Sequence, residues 1–186
     1  MLQVSNCFSH ETHKIGILYI GPGQEDDEEA ILLNEFGSLR YAAFLHGLGS
    51  LISLKDIDKA STYLGGLDHS DGDGDFAYMW EDDVMQVIFH VATLMPNHEK
   101  DPKANKKKRH IGNDFVAIVY NNSGGGKYKL GTVKGQFIYA CIVIIPLDQG
   151  SNKVFIECRP EFEEPLGHVK ARNQFETPSL FAVSEN

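Results

Sequence analysis

The sequence predicts an α/β domain in which a mixed central β-sheet is flanked by helices. Three observations carry that expectation. Strand-like runs alternate with helical patterns in the first half of the chain, and strand follows strand in the second. One run, Asp114 to Tyr120, is apolar at nearly every consecutive position. Alternation calls for parallel strands with covering helices, and an unbroken apolar run calls for a central strand buried on both faces.

Taken in order, Lys14 to Ile20 is rich in β-formers and stops at Gly21-Pro22-Gly23, a strand running into a turn. The acidic run Glu25 to Glu29 favours a helix N-terminus, and Ala30 to Leu33 continues that helix. Gly37 breaks it. Ser38 then caps a second helix whose Tyr41, Phe44, Leu45 and Leu48 fall on one face, with Gly49 as its stop. Thr62–Leu64 and Phe76–Trp80 read as strands around a Gly/Asp turn. Val84, Val87, Ile88, Val91 and Met95 have helical spacing, so a third helix is expected from an Asp82 cap to Pro96. Residues 97–104 read as an irregular polar loop and Lys106 to Ile111 as a short basic helix. After the strand at 114–120 come a hairpin loop at 121–126, a return strand from Lys129, and strands at 137–145 and 153–158. Beyond Arg159 periodicity fades among Pro160, Pro165 and Pro178.

With 186 residues, 42% of them hydrophobic and 23% charged, the chain is expected to form one domain with a substantial core. The run Ile142–Ile145 is far too short to span a membrane, and the first residues lack the pattern of a signal peptide. Cys7, Cys141 and Cys158 are odd in number and form no CxxC pair, as expected of reduced thiols in the cytoplasm. Net charge is −9, but its distribution matters more. No Lys or Arg stands between Lys59 and Lys100, and then Lys100, Lys103, Lys106, Lys107, Lys108 and Arg109 crowd together. Such a local positive patch suits an acidic partner surface or a phosphate, and equally a solvated helix face.

Several short motifs fail on their own chemistry. A calcium loop counted from Asp71 needs glycine where Phe76 stands and glutamate where Asp82 stands, so Asp71-Gly72-Asp73-Gly74-Asp75 is expected to be a turn. Gly124-Gly125-Gly126-Lys127 lacks the first glycine and the hydroxyl of a phosphate loop. His10-Glu11-Thr12-His13 is one residue short of a zinc-protease pair, in a segment expected to be poorly ordered. No nucleophile elbow occurs. What remains is Lys106-Lys107-Lys108-Arg109-His110-Ile111-Gly112-Asn113-Asp114. On a helix, Arg109 and His110 fall on nearly the same side as Asn113, at the entrance to a rigid strand. Spacing alone leaves three readings open. They are a cation-assisted presentation of one amide, a left-handed helix cap at Gly112 or Asn113, and a nucleic-acid or nuclear-localisation patch.

The same residues carry a likeness. Lys107 to Val116 followed by Ile118-Val119-Tyr120-Asn121 resembles the signature of Rap/Ran-GAP domains, and is most similar to the tuberin-type members. Lys14 to Gln24, Tyr63 to Asp68, Ala92 to Pro96 and Lys129 to Phe137 agree with it. The resemblance spans roughly residues 14 to 159. It implies a catalytic domain over 14–159, between an N-terminal extension at 1–13 and a divergent tail at 160–186. It also implies a mixed sheet distantly like a G domain.

The activity that the resemblance implies is acceleration of GTP hydrolysis by a small GTPase of the Rheb or Rap type. Asn113 matches the family's asparagine thumb, which enters the partner's nucleotide site in trans. Lys106, Lys107, Lys108, Arg109, His110 and Asp114 would bind the GTPase. No cofactor or metal is expected in this chain, because GTP and Mg belong to the partner. A hamartin-like protein would engage regions outside this chain. The expected location is cytoplasmic, peripheral to endomembranes within a larger complex, without membrane insertion and without nucleic acid. The alternatives are a module that grips a GTPase without accelerating it and a nucleic-acid binder. The family's closing amphipathic helix is not evident in residues 160–186.

Overall fold

In the computed structural model, residues 10–124 and 128–170 are described. Seven strands form one sheet: β1 (Glu11–Ile20), β2 (Ser50–Ser53), β3 (Phe76–Glu81), β4 (Met85–Val91), β5 (Val116–Asn121), β6 (Ala140–Pro146) and β7 (Asn152–Cys158). Their order is β2-β3-β4-β1-β5-β6-β7. The inner four, β4-β1-β5-β6, are mutually parallel, while the β2-β3, β3-β4 and β6-β7 pairs are antiparallel. The sheet is therefore mixed, as the alternation of patterns implied.

Alternation along the central strands sorts the core. Leu18 and Ile20 of β1 with Ala117 and Val119 of β5 face α1 (Glu28–Leu32) and α3 (Asn105–Ile111). Ile17, Tyr19, Ile118 and Tyr120 face α2 (Leu39–Leu48) through Tyr41 and Leu45. Burial on both faces explains why β5 reads as a continuous apolar run, and each enclosed aliphatic side chain contributes about 1.5–3 kcal/mol. The caps of the first two helices form as their sequences indicate. Asp27 accepts from Ala30 N and Ser38 from Tyr41 N.

Three segments depart from the expected elements. Residues 85–91 form strand β4 instead of a helix, because an inner strand needs apolar side chains at consecutive positions, which also produces helical spacing. Asp82 caps no helix. It accepts from Val84 N and Met85 N and tightens the β3–β4 hairpin. Thr62–Leu64 lies outside the sheet, with Leu64 packed in the core, and β2 takes the place beside β3. No return strand starts at Lys129, since residues 130–133 turn and β6 joins β5 in parallel through a crossover.

The chain ends also differ from expectation. Residues 11–13, expected to be poorly ordered, are the first turn of pairing between β1 and β4. After β7, a 3-10 turn at Pro160–Phe162 leads into α4 (Glu163–Lys170), where no clear helix was expected. The remaining residues of the 160–186 tail, and residues 1–9 of the N-terminal extension, lie outside the described residues.

Candidate functional site

α3 begins without a side-chain cap at Ala104. Asp101 serves instead, accepting from Lys106 N at 2.8 Å and from the Asn105 amide at 2.8 Å. Those bonds hold the Asp101 carboxyl below its usual pKa. The helix lies against the sheet through Lys107, His110 and Ile111, which are buried, while Arg109 stays exposed.

Gly112 closes the helix at φ −69°, in the right-handed region, and Asn113 is not among the residues of positive φ. The left-handed cap reading therefore fails. Glycine is required at 112 for another reason. A Cβ there would come within 2.9 Å of Lys108 O and 3.2 Å of the Gly135 Cα, where the β5–β6 crossover passes over the turn. Asn113 N donates to His110 O at 3.1 Å and Asp114 N to Ile111 O at 3.2 Å, so the backbone of the turn is bonded on both sides of Asn113.

Within that turn the side chains part. Asp114 is fully buried and Asn113 is exposed. Among the described residues nothing bonds the Asn113 carboxamide. It offers an acceptor oxygen and a donor nitrogen to solvent. Beside it, Phe115 and Phe137 are exposed and meet edge to face at 6.2 Å.

Beneath the turn lie two buried histidine–aspartate pairs. His90, at the end of β4, places Nδ1 2.9 Å from Asp114 Oδ2, and both side chains are wholly enclosed. Lys14 of β1 stands 3.6 Å from the other Asp114 oxygen. His110 places Nε2 3.0 Å from Asp73 Oδ1, a close approach that is not aligned as a hydrogen bond. Asp73 accepts from Asp68 N at 2.9 Å and approaches Lys106 at 3.7 Å. The rings of His90 and His110 meet edge to face at 5.3 Å. Burial lowers the His110 pKa, outweighing the attraction of Asp73. It also lowers that of Lys107 to about 8, against the pull of Glu35.

The cations expected to bind a partner are thus divided. Lys107, which reaches the Asn34 carbonyl at 3.5 Å, is enclosed together with His110 and Asp114, and the three present little surface. Lys106 faces Asp73, and Lys108 pairs with Glu28 at 3.0 Å. Among the described residues Arg109 and Asn113 remain without a side-chain partner, and both are exposed. Sequence reasoning passed over His90, hidden inside an expected helix, and Asp73, read as part of a turn. Only the Asp-Gly alternation around Asp73 hinted at its tight local geometry. Among the described residues no group of three or more His, Cys, Asp or Glu is arranged to hold a metal ion. What the turn offers at its surface is one neutral amide on a hydrogen-bonded backbone.

The model of the Rap/ran-GAP family matches residues 31–183, which includes α3, the Asn113 turn and every strand after β1. The chain belongs to the Rap/ran-GAP family. The Tuberous sclerosis 2 protein homolog of Schizosaccharomyces pombe is 47% identical over 138 residues, 73% of this chain and 10% of that protein. The Ral GTPase-activating protein subunit alpha-2 of Mus musculus is 37% identical over 151 residues, 81% of this chain and 8% of that one. This family member thus spans a tenth or less of the length of these two curated relatives. A solved structure described as the TSC2 GAP domain superposes with a TM-score of 0.74 at 41% identity, covering 82% of this chain and 83% of its own. Among the described residues no helix is long and apolar enough to cross a membrane.

Proposed function

We propose that this domain accelerates GTP hydrolysis by a small GTPase of the Rheb type, inserting Asn113 into the partner's nucleotide site. The observation that carries this reading is the exposed, unbonded Asn113 carboxamide on a turn whose two neighbours are buried. Membership of the Rap/ran-GAP family and the likeness to the TSC2 GAP domain supply the activity class. Phosphoryl transfer leaves little covalent work to a protein, so rate comes from positioning and electrostatics. A primary amide can accept from the attacking water and donate to a phosphate oxygen. Aspartate in its place would set a negative charge against the triphosphate.

GTP and Mg belong to the partner, and this chain supplies no cofactor. Arg109 steers the encounter with an acidic switch surface, and Phe115 and Phe137 give that surface an apolar seat. Lys107, His110 and Asp114 act from within, holding the turn. A hamartin-like partner and attachment to endomembranes would involve chain outside this domain. The nucleic-acid reading is disfavoured because Lys106 and Lys108 are engaged by carboxylates and Lys107 is enclosed.

Single-turnover GTP hydrolysis by Rheb, Rap and Ral, each with and without this chain, tests the proposal. Acceleration of ~10³-fold or more is expected with Rheb, by the scale of trans-acting groups in GTPases. No acceleration of any of the three would overturn it.

A further inference from the structure

We infer that His90 is a positioning residue for the reaction, clamping Asp114 so that the adjoining Asn113 is held in a single attitude. The inference rests on the thumb reading of Asn113. It starts from an oddity of burial. An aspartate wholly removed from water is costly unless its oxygens are engaged, yet Asp114 directly follows the exposed Asn113. Its position is prepared from three directions. His90 Nδ1 reaches Oδ2 at 2.9 Å from β4, and Lys14 Nζ stands 3.6 Å from Oδ1 from β1. Between them β1 carries Gly16, whose missing side chain leaves the room. A Cβ there would lie 3.3 Å from Asp114 Oδ2 and 3.3 Å from Ile111.

Ordinary packing would not need this arrangement. A leucine at 90 and an apolar residue at 114 would fill the same space without an enclosed polar pair, and replacing such pairs by apolar groups is often neutral or stabilising. What the pair adds is direction. A hydrogen bond to a defined carboxyl oxygen fixes the rotation of Asp114, and the peptide bond it shares with Asn113 transmits that rotation across one residue. The other side of Asn113 is held by His110, which Asp73 contacts at 3.0 Å and whose ring rests on His90 at 5.3 Å. Charged or titratable groups therefore meet His90 from the turn (Asp114), from α3 (His110) and, through Asp114, from β1 (Lys14). The thumb is a short exposed link between two buried anchors that share His90 as their common support. A shift of about 1 Å in a reacting group costs on the order of 100-fold in rate, so a loosened anchor should appear in turnover and not in affinity.

Histidine and asparagine both place a donor nitrogen at the δ position, so His90→Asn keeps the bond and His90→Leu removes it. Each variant, with Lys14→Met and Asn113→Ala, is assayed against Rheb for kcat and KM of stimulated hydrolysis and for melting temperature. His90→Leu is expected to lower kcat by about 10- to 100-fold with KM nearly unchanged, and His90→Asn to recover most of it. Lys14→Met, which leaves the His90 bond in place, should lower kcat less. The inference is overturned if His90→Leu melts lower yet turns over like wild type per folded molecule. It is also overturned if His90→Asn is no better than His90→Leu. Should His90→Leu not fold, wild-type kcat in Lys14→Met with His90→Asn as impaired as Asn113→Ala overturns it. If Asn113→Ala itself matches wild type, the thumb reading falls first and this inference with it.

Discussion

Along α3, two faces of one short helix treat similar residues in opposite ways. Lys107 and His110 point into the domain, where burial lowers the pKa of both. Arg109, between them in the chain, stays in water, and so does Asn113 one turn further on. In a linear reading Lys106 to His110 is a uniform basic stretch. Folded, it is packed into the domain on one side and open to solvent on the other. The difference teaches that charge density along the chain is a poor measure of charge offered to a partner. Three of the four consecutive cations from 106 to 109 are occupied or enclosed within the domain, and what reaches outward is one guanidinium and one neutral amide.

That division can be broken deliberately. The largest effect is expected at the turn that separates the two faces. Gly112→Val drives a side chain into Lys108 O and the crossover at Gly135. Loss of about 2–4 kcal/mol in urea unfolding is expected, with stimulated hydrolysis abolished even where the variant remains folded. A stability like that of wild type would show that the turn is not the tight junction described.

The exposed face should respond differently. Arg109→Ala should leave stability within about 0.5 kcal/mol. It should slow association with the GTPase about three- to tenfold at low ionic strength, with the difference shrinking as salt screens the encounter. Stopped-flow association rates over a salt series check this. An effect on melting temperature without one on association would place Arg109 with the scaffold.

The smallest effect belongs to the buried face. Lys107→Met should melt at or above the wild-type temperature at pH 7, because an enclosed ammonium with one distant carbonyl is traded for a side chain of similar reach. The sign with pH follows from linkage. Between about 8 and 10.5 the unfolded chain holds the Lys107 proton and the folded chain does not. Wild-type stability therefore gains with pH in that window and the variant's does not. The difference in melting temperature should narrow from pH 8 to 10, and a constant difference would mean Lys107 is solvated.

Much of the fold was legible because its signals are local. Asp27 and Ser38 cap the helices they precede, Gly49 stops α2, and the apolar run into Tyr120 is the doubly covered strand its composition indicates. β4 was not legible, since an inner strand and a buried helix both place Val87, Ile88 and Val91 in the core and only the neighbouring strands decide between them. The same ambiguity hid His90, whose partner Asp114 stands 24 residues later. Asn113 could be singled out from its motif. Which of its neighbours face inward depends on where α3 lies against the sheet, and spacing along the helix does not contain that information.

The central claim is that one exposed amide does the catalytic work and the buried residues only hold it. Single-turnover GTP hydrolysis by Rheb with Asn113→Ala, alongside equilibrium binding of the same variant to the GTPase, tests it directly. A fall in stimulated rate of about 100- to 1,000-fold is expected, the scale of losing one preorganised polar group in a transition state. Affinity should stay within a few-fold and the melting temperature should not change. Stimulation by Asn113→Ala equal to that of the unaltered chain would contradict it.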